Sequence, residues 1–144
     1  MNVAELSPVE RQSLVDAFYW YHTLGLGDGV ASRGTVDHAP WFERYGFPPV
    51  AGRSVLDVGA SDGFFSFAFE RAGAARVLAT DIDRWRDVPD GDLPSRTRSR
   101  RLAKFASVLG DEARAGDRAR VMAALGVDRP NPFYLARALL KSSV

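Results

Sequence analysis

The chain has 144 residues, enough for one domain of ordinary size, and its 46% hydrophobic and 11% aromatic content suffices to fill a core. Lys and Arg number 19 and Asp and Glu 18, a net charge of +1 that argues neither for a nucleic-acid binder nor for a field steering acidic substrates. The absence of cysteine excludes disulfides, thiolate nucleophiles and cysteine metal sites; with neither a secretory leader pattern nor an apolar run of spanning length, a soluble cytoplasmic protein without membrane partners is expected.

Ser7, Pro8, Val9 and Glu10 form a capping box with proline at the first helical position, so a helix is expected to start there. Leu14, Val15, Phe18 and Tyr21 recur at helical spacing and the pattern dies at Gly25, Gly27 and Gly29, which predicts a helix running roughly to His22. Residues 25–49 mix glycine, proline and aromatics with little periodicity and read as an ordered loop region, with a short helix over 39–45, Asp37 as its cap and Pro40 in its first turn. Trp41, Phe42, Tyr45 and Phe47 are too many aromatics for a solvated linker, so this stretch is expected to fold back over the domain C-terminal to it.

Residues 53–59 are a short apolar run ending in Asp57, Val58 and Gly59, the profile of a buried parallel strand entering a turn. A helix is predicted over 64–72, stopped by Gly73, and a second strand over 76–80, closed by Asp81, Ile82 and Asp83. Strand, glycine turn, helix and strand make a βαβ unit. Residues 87–94 are rich in turn formers; a basic helix over 95–109 and helices over 111–125 and 131–141 are expected after them, the last capped by Asn131 with Pro132 in its first turn. The final residues read as a helix followed by the first residue or two of a third strand, and there is no internal repeat.

The chemistry concentrates in 57–83. Gly59 lets the chain turn with backbone against a ligand, and Gly63 permits close approach at a helix start, where unpaired N–H groups favour polar or anionic groups. Asp81 ends the second strand, where an acid about 20 residues downstream of such a turn accepts hydrogen bonds from a ribose diol.

Val55 to Gly63 (Val-Leu-Asp-Val-Gly-Ala-Ser-Asp-Gly) and Leu78 to Asp83 (Leu-Ala-Thr-Asp-Ile-Asp) resemble the first two motifs of the class I S-adenosylmethionine (SAM)-dependent methyltransferases. The resemblance implies an α/β, Rossmann-like fold and bound SAM. Backbone around Gly59 and Ser61 would lie near the methionine portion, with Ala60 and Gly63 also binding the cofactor, Asp57 organising the turn or the amino group, Asp81 on the ribose and Ile82 beside the adenine. The turn lacks the Gly-x-Gly-x-x-Gly pattern of dehydrogenases, which disfavours a nicotinamide cofactor. Upstream, Trp20 to Leu26, Asp28, Gly29, Gly34, Asp37 and His38, together with 57–69, look like the methyltransferase-domain family related to tRNA wobble-uridine carboxymethyl-transferring enzymes. That likeness implies methyl or carboxymethyl transfer to tRNA or a small molecule.

His22, as a base, and Tyr21, as a hydrogen-bond donor, are the catalytic candidates, the alternative being that both simply finish an amphipathic helix; His38 is a further candidate on the same reasoning. No metal-ligand pattern is present in the sequence. Arg96, Arg98, Arg100, Arg101 and Lys104 read as a solvated helix face, with phosphate contact as the alternative. Phe64, Phe65, Phe67 and Phe69 read as core packed against the sheet. The expected organisation is an N-terminal helix and capping loop over 1–50, then a partial SAM-binding domain over 51–144 with an incomplete parallel sheet and a helical C-terminal segment. Only two of the seven strands of a full class I sheet are readable, so the chain is expected to be truncated, able to self-associate through open sheet edges, and open to a second role as a non-catalytic SAM-binding or interaction module.

Overall fold

The computed structural model describes residues 3–81, 112–126 and 131–144. Among these lie five α-helices and a two-stranded parallel sheet, a mixed α/β arrangement. The elements expected over 87–94 and 95–109, the basic run and Ile82 fall outside the described residues.

A 3-10 turn, Val3–Glu5, precedes helix α1, Pro8–Asp16. The capping box forms: Ser7 Oγ accepts from the Glu10 N–H at 3.3 Å, and Glu10 Oε2 accepts from the Ser7 N–H at 2.9 Å. Glu10's carboxyl is held below its ordinary value by the Ser7 side chain and then by the Ser7 backbone N–H.

The helix does not reach His22. It stops at Asp16 because the next carbonyls and N–H groups find partners that a helix would deny them. The Trp20 indole donates to Val15 O at 2.8 Å, Arg118 donates to Ala17 O at 3.2 Å, and the N–H groups of Tyr21 and His22 leave for a carboxylate far along the chain. Phe18 and Trp20 enter the core from this non-helical backbone.

The loop after α1 is stitched to it by Gln12, whose side-chain amide both donates to Ala31 O and accepts from Ala31 N–H. Asp28 and Gly29 both have positive φ between Gly27 O and Val30 N–H, the two-residue turn for which Asp-Gly is suited. Helix α2, Ala39–Tyr45, comes next. Asp37 acts from one residue further out than expected: His38 occupies the cap position without a side-chain bond, while Asp37 Oδ1 accepts from Ala39 N–H at 2.9 Å.

Strand β1, Ser54–Val58, helix α3, Phe64–Arg71, and strand β2, Arg76–Thr80, form the βαβ unit, with Leu56 opposite Leu78 and Asp57 opposite Ala79. Gly73, at φ +85°, ends α3 as expected. The strands are not buried on both faces. Val55, Asp57, Val77 and Ala79 are half-buried, whereas Leu56, Val58 and Leu78 are 62%, 75% and 50% exposed. The βαβ crossover among the described residues lays its helix on only one face of its strands, so the apolar run shows the alternation of a half-covered sheet.

The buried core therefore lies on the helical side. Leu14, Val15, Trp20, Leu26 and Val30 pack in one cluster with Phe64 and Phe67 of α3, Val121 of helix α4 (Glu112–Leu125) and Leu135 of helix α5 (Pro132–Leu140), so residues from both sides of position 50 share it. Burying a side chain such as Phe67 contributes about 1.5–3 kcal/mol. The α3 phenylalanines meet rings from other segments: Phe67 packs on Phe133 of α5, and Phe69 on Phe47.

Asn131 caps α5 as expected, its side chain accepting from Phe133 N–H. The third strand expected at the end does not begin. Lys141 turns left-handed at φ 53°, and both the N–H and the hydroxyl of Ser143 donate to Glu70 Oε1, at 2.8 and 2.5 Å. A backbone donor spent on a carboxylate cannot enter a ladder.

Burial pushes the Glu70 carboxyl up, but the Ser142 and Ser143 hydroxyls, the Ser143 N–H and nearby Arg71 outweigh it and hold the group below its ordinary value. The tail contact accordingly stabilises the fold above the ordinary glutamate range and is lost as pH falls through the depressed value. The Ser143 amide resonance should titrate with a midpoint below about 4.3, the free glutamate value, and Glu70→Gln should abolish that titration. A midpoint at or above the free value would contradict the contact.

Candidate functional site

The turn joining β1 to α3 is held from the β2 side. Gly59, at φ +80°, and Ala60 both donate to Thr80 O, at 2.8 and 3.0 Å, and Gly63 donates to Ala60 O at 2.8 Å. Ser61 is left-handed at φ 54°, and its N–H donates to Asp81 Oδ2. These four N–H groups are thus bonded within the protein.

Its two glycines serve different ends. A Cβ at Gly59 would point into open space, so only the positive φ demands glycine there. At Gly63, φ +87°, a Cβ would lie 2.3 Å from the Phe67 ring and 2.9 Å from Phe133. The close approach that Gly63 permits is that of its own core.

Asp57 sits on the half-covered face and accepts from Ser66 Oγ of α3 at 2.5 Å, while Thr80 Oγ1 donates to Asp57 O at 3.3 Å. It ties strand, helix and second strand together beneath the turn. Asp81 stands exposed at the end of β2, joined to Ser61.

The residue that gathers the site is Asp62, which sequence reasoning missed. It is 1% exposed. Its Oδ2 accepts the N–H groups of Tyr21 and His22 at 2.8 and 2.7 Å, and its Oδ1 lies 2.5 Å from His22 Nδ1. The upstream candidates are thereby brought against the glycine turn, 5% of His22 remaining exposed. His22 stacks on Phe64 with ring centroids 5.2 Å apart, and the His38 and Phe65 rings stand 5.2 and 5.7 Å away. Tyr21 meets the His22 ring edge-on at 4.7 Å, and Phe42 of α2 completes the cluster against Phe64 and Phe65.

The His22 backbone is gripped as firmly as its ring. Ser32, 1% exposed, donates its Oγ to His22 O and accepts from Leu24 N–H, both at 2.8 Å. Val36 O accepts from Thr23 N–H and Val36 N–H donates to Tyr21 O, a bridge that presses Gly34 against His22. Asp62 and Ser32 carry no local signature, because their partners lie 40 and 10 positions away along the chain. Among the described residues no group of three or more His, Cys, Asp or Glu is arranged to hold a metal ion, and no helix is long and apolar enough to cross a membrane.

Compared with known proteins, the chain matches no family model, no curated protein and no solved structure.

A Cβ on Gly34 would fall 2.0 Å from the His22 carbonyl carbon and 2.4 Å from Thr23 N, backbone that cannot swing away. Gly34→Ala should therefore destabilise the fold by about 1–3 kcal/mol, the range for overpacking, in chemical denaturation. An unchanged midpoint would show that the His22 segment is held less tightly than its bonds imply.

Proposed function

We propose that this chain binds SAM at the β1–α3 turn and acts as a SAM-dependent methyltransferase of Rossmann-like class I type, transferring a methyl or carboxymethyl group to a small molecule or tRNA. The observation that carries the reading is the pairing of a left-handed glycine-serine turn with a strand-end acid: Ser61 N–H donates to Asp81 across the ends of the two parallel strands. The carboxyl ends of parallel strands are where α/β sheets hold nucleotides.

The residues fit the ligand in three respects. Open space over Gly59 admits a group against the backbone. The N–H groups of Gly59, Ala60, Ser61 and Gly63 are engaged within the protein, so the turn holds its shape before a ligand arrives. A carboxylate carries about four acceptor positions, so a bond from Ser61 is compatible with a ribose diol on Asp81. Asp57 would act from beneath the turn through Ser66, and His22 and Tyr21 stand beside it. SAM would supply an electrophilic methyl group; the protein's own contribution is alignment of donor and acceptor, which needs no covalent enzyme intermediate.

A second reading, a SAM-binding or interaction module without catalysis, is favoured by one observation. Leu56, Val58 and Leu78 leave an apolar sheet face exposed, of the kind that marks a partner surface or self-association.

Calorimetric titration of the whole chain with SAM and S-adenosylhomocysteine should give saturable binding; none by a demonstrably folded chain would overturn SAM binding and with it the methyltransferase reading, and leave only an interaction module. Asp81→Ala should weaken binding by about 10- to 100-fold, the equivalent of a charge-assisted hydrogen-bond pair. Asp81→Asn, which keeps an acceptor for Ser61, should fall between. Equal affinity in all three proteins would remove Asp81 from the ribose.

A further inference from the structure

Within the turn proposed to hold the donor, one side chain points away from the turn and into the segment that carries His22. That side chain, Asp62, spends one oxygen on two backbone N–H groups and the other on His22 Nδ1. A carboxylate only accepts, so the ring nitrogen facing it must carry the proton, and in the neutral ring the lone pair is then at Nε2. The ring's hydrogen bond runs through Nδ1, and no buried side-chain nitrogen or oxygen among the described residues lacks a partner, which puts Nε2 on the edge of the ring that solvent still reaches. Stacking on Phe64 and the grip on the His22 backbone by Ser32 keep that edge from turning away.

We propose that Asp62 is a positioning residue: it fixes His22 with Nδ1 protonated, so that Nε2 takes the proton from the nucleophilic O–H or N–H of the methyl acceptor. This rests on the methyl-transfer reading. As the acceptor's heteroatom bonds to the methyl carbon, the carbon–sulfur bond of the sulfonium donor breaks with its electron pair left on sulfur. The acceptor's proton passes to Nε2, and the imidazolium so formed faces the Asp62 carboxylate until it releases the proton to water. Because Asp62 follows Ser61 directly in the turn, donor and proton acceptor are positioned by one short piece of backbone.

The test needs neither donor nor acceptor. In the ¹⁵N-labelled full chain, His22 should show the tautomer with hydrogen on Nδ1, and diethyl pyrocarbonate, which acylates a ring nitrogen bearing a lone pair, should modify His22 at Nε2, located by peptide mapping. In Asp62→Asn the amide oxygen can still accept from Tyr21 and His22, but the amide N–H₂ faces Nδ1 and demands an acceptor there. The hydrogen should move to Nε2 and the Nε2 adduct should be lost, with His38 modification unchanged as the internal reference. A wild-type ring with hydrogen on Nε2, or His22 unreactive while His38 reacts, overturns the proposal, and neither outcome depends on how well the variant folds. An unchanged tautomer and unchanged adduct in a folded Asn variant also overturn it. Failure to bind SAM would instead sink the methyl-transfer reading and leave the tautomer result standing.

Discussion

Three hydrogen bonds converge on one buried carboxylate, and much of the N-terminal architecture depends on them. A carboxylate as deeply buried as Asp62 is tolerated only when its oxygens are satisfied, and here the donors come from Tyr21 and His22, at the far end of a loop. Taking those N–H groups out of any helix forces α1 to end early. It also holds the backbone at 21–23 extended enough to bridge Val36, and sets the His22 ring flat against Phe64. Removing the Asp62 carboxylate would take away the bonds it makes to the Tyr21 and His22 N–H groups and to the His22 ring, a cost of about 1–3 kcal/mol for each buried neutral group left unsatisfied. The pairing is therefore a constraint on the fold as well as a feature of the site.

A division of labour between the two sides of the molecule results. The helical side holds the core, where α1, the loop after it, α3, α4 and α5 contribute to a single cluster. The sheet side holds the turn, Asp57 and Asp81, positioned by backbone pairing between β1 and β2 more than by buried side chains. Asp62 and Gly63 connect the two. The first reaches into the N-terminal loop, while the second lets Phe67 and Phe133 close beneath the turn. A ligand seated on the turn would thus rest on a rigid base, because the elements under it are fixed from opposite sides.

The short-range elements were legible in the residues themselves. Ser7 with Glu10, Asn131 with Pro132, and Gly73 behind α3 fix helix ends through bonds made within a few positions, and a capping signal needs no knowledge of the rest of the chain. The order strand, turn, helix, strand was equally plain, since apolar runs separated by glycine carry their own periodicity. Errors arose where a distant group competed for the backbone. Helical spacing suggested a helix reaching His22, but Asp62 and Val36 offered those N–H and carbonyl groups better partners. A third strand was expected at the C-terminus, but Glu70 captured Ser143.

By itself, the sequence determined the βαβ unit, the glycines at its turn and the acid at the end of β2, because each depends on local backbone geometry and on side-chain type. It also placed Tyr21, His22 and His38 among the chemically capable residues without saying what they would face. Only the tertiary structure decided that His22 meets Asp62, that Ser32 and Gly34 clamp it, and that one face of the sheet stays bare. Those outcomes depend on which buried polar group finds a partner and which surface finds a cover, and both are settled by residues far apart in the chain.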